Sequence, residues 1–160
     1  MKKLIIPILV ILVVVAGTGG YFFGFGQGKS VIQKELQSKE AEYQKSREAA
    51  KTVAEKYLSA FKFKDFKEAY SLTCPDFKKS ATEQKFIKYW EDGIQSLQKD
   101  AGAVIQDYIL DEVVVEGEIA KVRFNEVRNS AFLAKEIKLP QQSQFKLVEG
   151  SWCPMPPTDF

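Results

Sequence analysis

The feature that most constrains this chain is an uncharged, mostly apolar run over residues 4–26, preceded only by Met1, Lys2 and Lys3. A transmembrane helix needs about 20 apolar residues to cross roughly 30 Å of hydrocarbon, and this run is long enough. Pro7 falls in the first turn, where its missing N–H removes no intrahelical hydrogen bond. The sequence therefore predicts a transmembrane anchor over residues 1–28 and a single-pass membrane protein.

A cleaved signal peptide is the alternative interpretation, because the run also has a basic start and small residues over 17–20. The apolar run resumes at Tyr21 without a clean A-x-A cleavage site, which favours a retained signal-anchor. Lys2 and Lys3 predict that the N-terminus stays in the cytoplasm. The rest of the chain is then expected outside the cytoplasm.

Small residues recur every four positions along the predicted anchor, at Ala16, Gly20, Gly24 and Gly28. Such a stripe lets a second helix approach closely, because close packing drives helix association in lipid. Glycine is also common in membrane helices without any such contact. We expect this stripe to pack against a helix of another membrane protein or of a second copy of the chain. The sequence does not distinguish these two kinds of pairing.

Charge and composition limit the classes of function. The chain has 23 basic and 21 acidic residues, and Lys2 and Lys3 account for the net charge of +2. A domain without a basic excess is poorly suited to nucleic-acid phosphates, so we expect no nucleic-acid partner. The absence of histidine from the sequence excludes histidine general bases and histidine metal ligands. We therefore predict no cofactor, no metal site and no catalytic residue.

Cys74 and Cys153 are the two cysteines of the chain, and each is followed by proline. In an oxidising compartment such a pair is most simply one disulfide, which would close a loop over most of the domain. In the chain-entropy model, closing a loop of that length stabilises the folded state by up to about 4–5 kcal/mol. Two free buried thiols are the alternative that the spacing leaves open.

Helical patterns occupy the chain up to residue 98. Residues 29–47 are polar, rich in Lys, Glu and Gln, and predict a helical stalk. An apolar face begins near residue 48 and continues the stalk into the first helix of a domain over 48–153. Two further helices follow a predicted capping box that starts at Asp65 and another that starts at Ser80, with a turn between them over 73–76.

Strand composition begins after residue 102. Strand-like segments cover 104–110, 113–115, 119–127, 131–139 and 144–148, the last two separated by a break at Pro140. Ala120, Val122 and Phe124 share one face of their segment, as in an antiparallel sheet with one buried side. Residues 154–160 are a proline-rich tail that is expected to be extended and unable to pair as a central strand.

Three helices followed by a curved meander of about four strands make an α+β fold with segregated elements. Loose apolar patterns recur at Tyr57, Leu58, Ala60 and Phe61, at Asp65, Phe66, Ala69, Tyr70 and Leu72, at Gly117, Ile119, Ala120 and Val122, and at Leu147, Val148, Gly150 and Trp152. These patterns resemble the nuclear-transport-factor-two-like superfamily, which includes ketosteroid isomerase, and in particular its bacterial membrane-anchored cell-envelope members. The resemblance implies a cone-shaped domain whose sheet wraps the first helix around a pocket, and it implies the bacterial cytoplasmic membrane as location.

Three functions remain open at this point. We expect a non-catalytic interaction or scaffold module, or an accessory subunit of a membrane complex. The reasons are the predicted membrane anchor and the lack of candidate catalytic residues. The first alternative is a pocket for a small apolar ligand or lipid, lined by Phe61, Trp90 and Trp152. The second is a carboxylate-dependent isomerase or dehydratase, which needs a buried acid such as Asp76, Asp107 or Asp111. Asp107 and its strand neighbour Tyr108 face opposite sides, so they do not form an inward-facing pair.

Overall fold

The computed structural model describes residues 25–131 and 135–157, with side chains described from residue 32 onward. The chain divides into two compact units, residues 1–37 and 38–160. Its elements in chain order are α1 (Phe25–Lys62), α2 (Phe66–Leu72), α3 (Pro75–Ser80), α4 (Glu83–Ala101), β1 (Ala103–Glu116), β2 (Ile119–Ser130), β3 (Lys135–Val148) and β4 (Ser151–Met155). All of the strands and three of the helices thus belong to the second unit.

The predicted anchor over 1–28 lies outside the described residues except for 25–28, which begin α1. Of the predicted small-residue stripe, Ala16, Gly20 and Gly24 also lie outside, whereas Gly28 belongs to the first turns of α1. Within the described ranges, the structure has no helix with the length and apolar character that a membrane crossing requires. The anchor therefore stays a prediction.

Helix α1 continues without a break through the predicted stalk residues 29–47. Its side chains are exposed from Ile32 to Lys45, and the first fully buried side chain is that of Ala50. The Nε of Arg47 donates a hydrogen bond to the carbonyl of Val113 at 3.1 Å, so the helix already contacts the sheet at this point. The helix then buries one face because its apolar residues recur at helical spacing.

The helix boundaries differ from the prediction at two places. The predicted turn over 73–76 contains the start of α3, because proline at a first helical position removes no intrahelical hydrogen bond and Pro75 occupies that position. Helix α4 is capped by Thr82 rather than by Ser80, since the Thr82 side chain accepts a hydrogen bond from the Lys85 N–H. The predicted cap of α2 is confirmed, with the Asp65 carboxylate accepting from the Glu68 N–H at 3.0 Å.

The four strands form one antiparallel sheet in the order β1-β2-β3-β4, and the helices pack against it, so the domain is α+β as predicted. Strand β1 is continuous where the sequence predicted two segments. Its pairing with β2 shifts in register at two places, which are the irregularities of this strand. Strand β3 also passes through Pro140, which corrects the predicted break. Pro140 pairs with Asn125 on β2, whereas β4 covers the opposite edge of β3 only at 144–148. A proline is tolerated where one edge of its strand has no ladder to complete.

The core of the domain is aromatic and is centred on Phe61 of α1. Its ring packs edge-on against five other rings, with centroid distances from 4.6 to 6.3 Å: Tyr57, Phe66, Phe86, Trp90 and Tyr108. Ala120 and Val122 of β2 are fully buried beneath the helices, as their alternation predicted. This packing brings α1, α4 and the inner face of the sheet together around one cavity.

Candidate functional site

A cavity of about 300 Å³ lies between α1, α4 and the inner face of the sheet. Its apolar walls come from Leu58 and Phe61 of α1, Trp90 of α4 and Phe124 of β2. Gln141, Gln142 and Ser143 of β3 also border it, and the two glutamines are exposed. A cavity of this size, mainly apolar and with a few polar groups, has the usual character of a small-molecule site.

The polar groups on the inner wall are placed there by the alternation of β2. Ala120, Val122 and Phe124 point to the core side, and the same alternation carries Glu126 and Arg128 to that side further along the strand. The register shifts of the sheet lie on β1 and not on β2, so the alternation of β2 is uninterrupted. Strand geometry therefore places Glu126 and Arg128 on the face of the sheet that borders the cavity.

Glu126 and Arg128 form an ion pair inside this wall, in which the Arg128 Nε donates to the Glu126 Oε1. Their side chains are only 11% and 25% exposed, respectively. A buried charge is strongly unfavourable unless it is paired, and here each member of the pair compensates the other. The pair therefore contributes polarity to the cavity without contributing a net charge.

Two tyrosines, Tyr57 of α1 and Tyr108 of β1, line the same cavity. Burial raises the pKa of both phenols, with a smaller contribution from Tyr108 in the case of Tyr57 and from the negative charge of Glu126 in the case of Tyr108. Both hydroxyls consequently stay protonated at neutral pH. Neither hydroxyl has a hydrogen-bond partner among the residues that the structure describes.

A third donor, the indole Nε1 of Trp90, is buried and has no hydrogen-bond partner in the described part of the chain. Trp90 belongs to the wall between this cavity and a neighbouring cavity of about 490 Å³ that is lined by α4, β1 and β2. Tyr108, Glu126 and Arg128 belong to the same shared wall. An unpaired buried donor is unfavourable, so the Trp90 indole N–H calls for an explanation.

The predicted pocket residues are only partly together in the structure. Phe61 and Trp90 line the cavity with ring centroids 4.6 Å apart. Trp152 is buried in the core and is not part of the lining, which corrects its assignment to the pocket. It pairs with Leu147 next to the β3–β4 turn, whereas the cavity lies at the other end of these strands, beside Ser143 and Met155.

The predicted carboxylate candidates lie outside the cavity. Asp107 pairs with Lys62 at 3.0 Å, and Asp76 pairs with Lys79 at 2.9 Å on an exposed surface. These lysines hold the pKa of both carboxyls below the ordinary value, in the opposite direction from a general base poised near neutrality. Asp111 is exposed. Tyr108 lines the cavity while Asp107 does not, as expected for neighbours on a strand.

The Pro-rich end of the chain forms another wall of the cavity. Pro154, Met155, Pro156 and Pro157 line it, and β4 extends to Met155, so the predicted extended tail over 154–160 begins within an edge strand and not within a central one. Proline is acceptable there because β4 is an edge strand. Cys74 and Cys153 are joined in the predicted disulfide and tie this segment to the start of α3.

Sequence reasoning missed Glu126 and Arg128, although the signal was available. The predicted strand over 119–127 already placed Ala120, Val122 and Phe124 on the buried face, and the same period of two leads to Glu126 and then to Arg128. The described part of the chain has no cluster of three or more Cys, Asp or Glu side chains suited to a metal ion. The candidate site thus combines a paired acid and base with two tyrosine hydroxyls and the unpaired indole N–H of Trp90.

No family model matches this chain, and no curated protein matches it. Among solved structures, it is similar to a SEC-C motif containing protein from Psychrobacter arcticus, with 12% identity and a TM-score of 0.51. That match covers 70% of this chain and 61% of the other, so the chain spans less than two thirds of that protein's length. A likeness at this identity shows the fold alone.

Two further similar structures have lower scores. One is an NTF2-like protein with a cystatin-like fold from Novosphingobium aromaticivorans, with 12% identity, a TM-score of 0.43 and coverage of 82% of this chain and 87% of that one. The other is a ketosteroid isomerase-like protein from Erwinia carotovora atroseptica, with 14% identity, a TM-score of 0.43 and coverage of 68% and 89%. The structural neighbours thus include proteins of the kind that the sequence resembles, while membership of that superfamily stays a prediction.

Proposed function

We propose that the domain is a binding module that takes a small, mainly apolar molecule into the cavity between α1, α4 and the sheet. One observation carries this proposal. A cavity of about 300 Å³ with apolar walls contains a neutralised ion pair, Glu126 with Arg128, and two tyrosine hydroxyls without a hydrogen-bond partner among the described residues. Apolar walls supply affinity for a ligand body, and a few convergent polar groups orient it.

The proposal is binding rather than catalysis because the candidate carboxylates are already paired with basic side chains. Glu126, the acid in the cavity, accepts a hydrogen bond from Arg128. Asp76 and Asp107 are paired with lysines outside the cavity. A general base works best with a pKa near the operating pH, and the paired lysines lower the pKa of the Asp76 and Asp107 carboxyls away from it.

The proposed setting is the outer side of a bacterial cytoplasmic membrane, with the apolar segment 4–26 as a retained anchor and the N-terminus in the cytoplasm. The uncharged run and the two lysines before it support this setting. A disulfide between Cys74 and Cys153 also suits an oxidising compartment. In this setting, the proposed ligand is a small molecule that partitions into the membrane or collects near it.

The test uses two tryptophan substitutions on adjacent residues of β3. Ser143 lines the cavity and Gln144 does not, so Ser143→Trp fills the site while Gln144→Trp adds the same side chain next to it. We expect purified full-length protein to bind 2-methylnaphthalene, the Gln144→Trp variant to bind it equally, and Ser143→Trp to lose binding. Calorimetric titration measures this directly. Equal binding by both variants, or none by the unsubstituted protein, would rule the cavity out as the site.

An interaction or scaffold module is the second candidate, and exposed apolar side chains on α1 favour it. Ile32 and Leu36 are 62% and 63% exposed and lie four residues apart, on the same helix face. The partner would be another membrane or envelope protein, or a second copy joined through the predicted anchor. Extraction in mild detergent followed by sizing and mass spectrometry tests this candidate, and a lone chain with no retained partner counts against it.

A further inference from the structure

The second cavity, of about 490 Å³, lies beside the first over one stretch of the inner face of the sheet. Tyr108 of β1 and Glu126 of β2 are paired across the sheet, and both side chains border both cavities, as does Arg128. Among the described residues, Trp90 is the one residue of α4 that lines both cavities. The two cavities therefore share a floor on the sheet, and the Trp90 side chain forms the partition between them on the side of the helices.

The walls of the second cavity are largely apolar away from this shared floor. Ile94 and Leu97 of α4 and Ile105 of β1 line it. The carboxylate of Asp92 and the hydroxyl of Ser96 also border it, but both residues are exposed and already hydrogen-bonded to other side chains of α4. A part of a ligand that enters this cavity thus meets mainly apolar side chains, as in most small-molecule sites.

Gly93 lies in the middle of α4 and lines the second cavity. A Cβ atom added there would meet nothing within 4 Å, so no close packing among the described residues requires a glycine. Glycine is less favourable than alanine inside a helix. A side chain at this position would point toward the N-terminus of the helix and cover the turn that contains Tyr89 and Trp90. Glycine thus keeps the space beside Trp90 open.

Trp90 is held in the partition by ring contacts and not by a hydrogen bond. Its ring centroid lies 4.6 Å from that of Phe61 and 5.4 Å from that of Tyr89. Its indole N–H is buried without a hydrogen-bond partner in the described part of the chain. A displacement of the ring that lets this N–H reach water would therefore regain a hydrogen bond. The open space at Gly93 lies on the same face of α4, since residues i and i+3 are neighbours on a helix surface.

We infer that the second cavity continues the binding site of the first and that Trp90 is a movable partition between them, so that the domain takes an elongated apolar ligand. A ring system of the ligand lies in the first cavity, and an unbranched alkyl chain passes Trp90 into the second. This inference rests on the proposed binding function and names the chemical class of its ligand. Its driving force is the burial of the chain, because apolar burial is favourable in proportion to the area removed from water.

The test compares 2-methylnaphthalene with 2-hexylnaphthalene on the purified full-length protein. Both probes have the same ring system, and the second extends the methyl group into an unbranched hexyl chain. Free probe concentrations are measured directly, so that partition into detergent or lipid does not affect the dissociation constants. The quantity compared between variants is the ratio of the two dissociation constants, because this ratio isolates the contribution of the chain.

We expect 2-hexylnaphthalene to bind at least about tenfold more tightly, which requires the burial of only about two additional methylene groups. In Gly93→Phe, the ratio should fall to about one, because the added ring fills the space beside Trp90. Gln95→Phe is the matched control, since Gln95 is exposed on α4 and lines neither cavity, and it should keep the ratio. Thermal unfolding checks that both variants are folded.

A second measurement follows Trp90 on the unsubstituted protein and does not depend on these variants. Exchange of its indole N–H proton with water should be faster with 2-hexylnaphthalene bound than with 2-methylnaphthalene bound, because the longer probe displaces the ring from the partition. The indole proton of Trp152, which lies in the core outside both cavity linings, serves as an internal reference. The spectrum of Trp90→Phe identifies the two resonances.

Each contrary result has a separate meaning. Equal affinity for both probes overturns the inference and leaves the proposed binding function intact. A ratio that Gly93→Phe does not reduce shows that the chain avoids the second cavity, and an exchange rate that the longer probe leaves unchanged shows that Trp90 stays in place. Either of these results overturns the inference as well. If neither probe binds, the proposed binding function itself fails.

Discussion

Cys74 and Cys153 are separated by 79 residues in the chain, and their Cα atoms lie 4.9 Å apart across the disulfide that joins them. The backbone N–H of Cys74 also donates a hydrogen bond to the carbonyl of Pro154 at 3.1 Å. These two links attach the end of β4 to the N-cap of α3. Because Pro154, Met155 and Pro156 line the cavity, the cross-link also positions one of its walls.

Removal of the disulfide should weaken both stability and binding. We expect Cys74→Ala with Cys153→Ala to lower the free energy of unfolding by about 2–4 kcal/mol, since the unfolded chain regains the freedom of a long loop. Urea unfolding followed by tryptophan fluorescence measures the loss. Reductant should destabilise the unsubstituted protein and leave the double variant unchanged. A double variant as stable as the parent would show that the hydrogen bond and packing suffice.

Substitutions of Glu126 and Arg128 should have strongly coupled effects on the free energy of unfolding. Arg128→Met leaves a largely buried carboxylate unpaired, and Glu126→Gln leaves the guanidinium unpaired, so each single change should lower the free energy of unfolding by about 1–3 kcal/mol. Arg128→Met should be the more severe because Glu126 is the less exposed partner. The two changes together should cost less than their sum. A double-mutant cycle from urea denaturation measures the difference, and additive losses would contradict a functional pair.

Phe86 should be among the most sensitive positions of the core. Its side chain is fully buried, and its ring lies 5.6 Å from Tyr70 and 5.9 Å from Phe77. We expect Phe86→Ala to lower the free energy of unfolding by about 3–5 kcal/mol, because a large cavity replaces the ring. Phe63→Ala is the matched control, since Phe63 is 74% exposed and its loss should change stability by under about 0.5 kcal/mol. Comparable losses at both positions would refute the core assignment.

Stability should fall at alkaline pH through Tyr57 and Tyr108. Burial raises the pKa of both phenols in the folded state, so they keep their protons at a pH where the unfolded chain loses them. Their contribution is complete below pH about 10 and is lost as the pH rises above it, with a slope of at most about 1.4 kcal/mol per pH unit for each group. Urea unfolding at a series of pH values measures the slope.

Substitutions separate these two groups from the other titrating residues. Tyr57→Phe and Tyr108→Phe should each reduce the alkaline loss of stability. Tyr43→Phe should leave it unchanged, because Tyr43 is 37% exposed and lies outside the core. An identical pH dependence in all three variants would contradict the assignment of both buried phenols.

Several elements were predictable because their causes are local. The Asp65 cap of α2, the buried face of β2 through Ala120 and Val122, and the α+β order of elements all follow from neighbouring residues and from periodicity. The helix end predicted before Pro75 is confirmed, since α2 ends at Leu72 and Cys74 is extended, although the start of α3 lies within the predicted turn. The break predicted at Pro140 was wrong, because one edge of β3 has no strand to pair with at that point.

The sequence by itself determined the apolar N-terminal run, the helical and strand segments, and a cysteine pair suited to one disulfide. These depend on composition and on interactions between residues close in the chain. Only the tertiary structure decided that Trp152 is buried in the core, that Glu126 and Arg128 line a cavity, and that the Pro154 segment closes one side of it. A cavity is the space left between elements distant in sequence, and its lining depends on sheet register and helix packing, which no local pattern specifies.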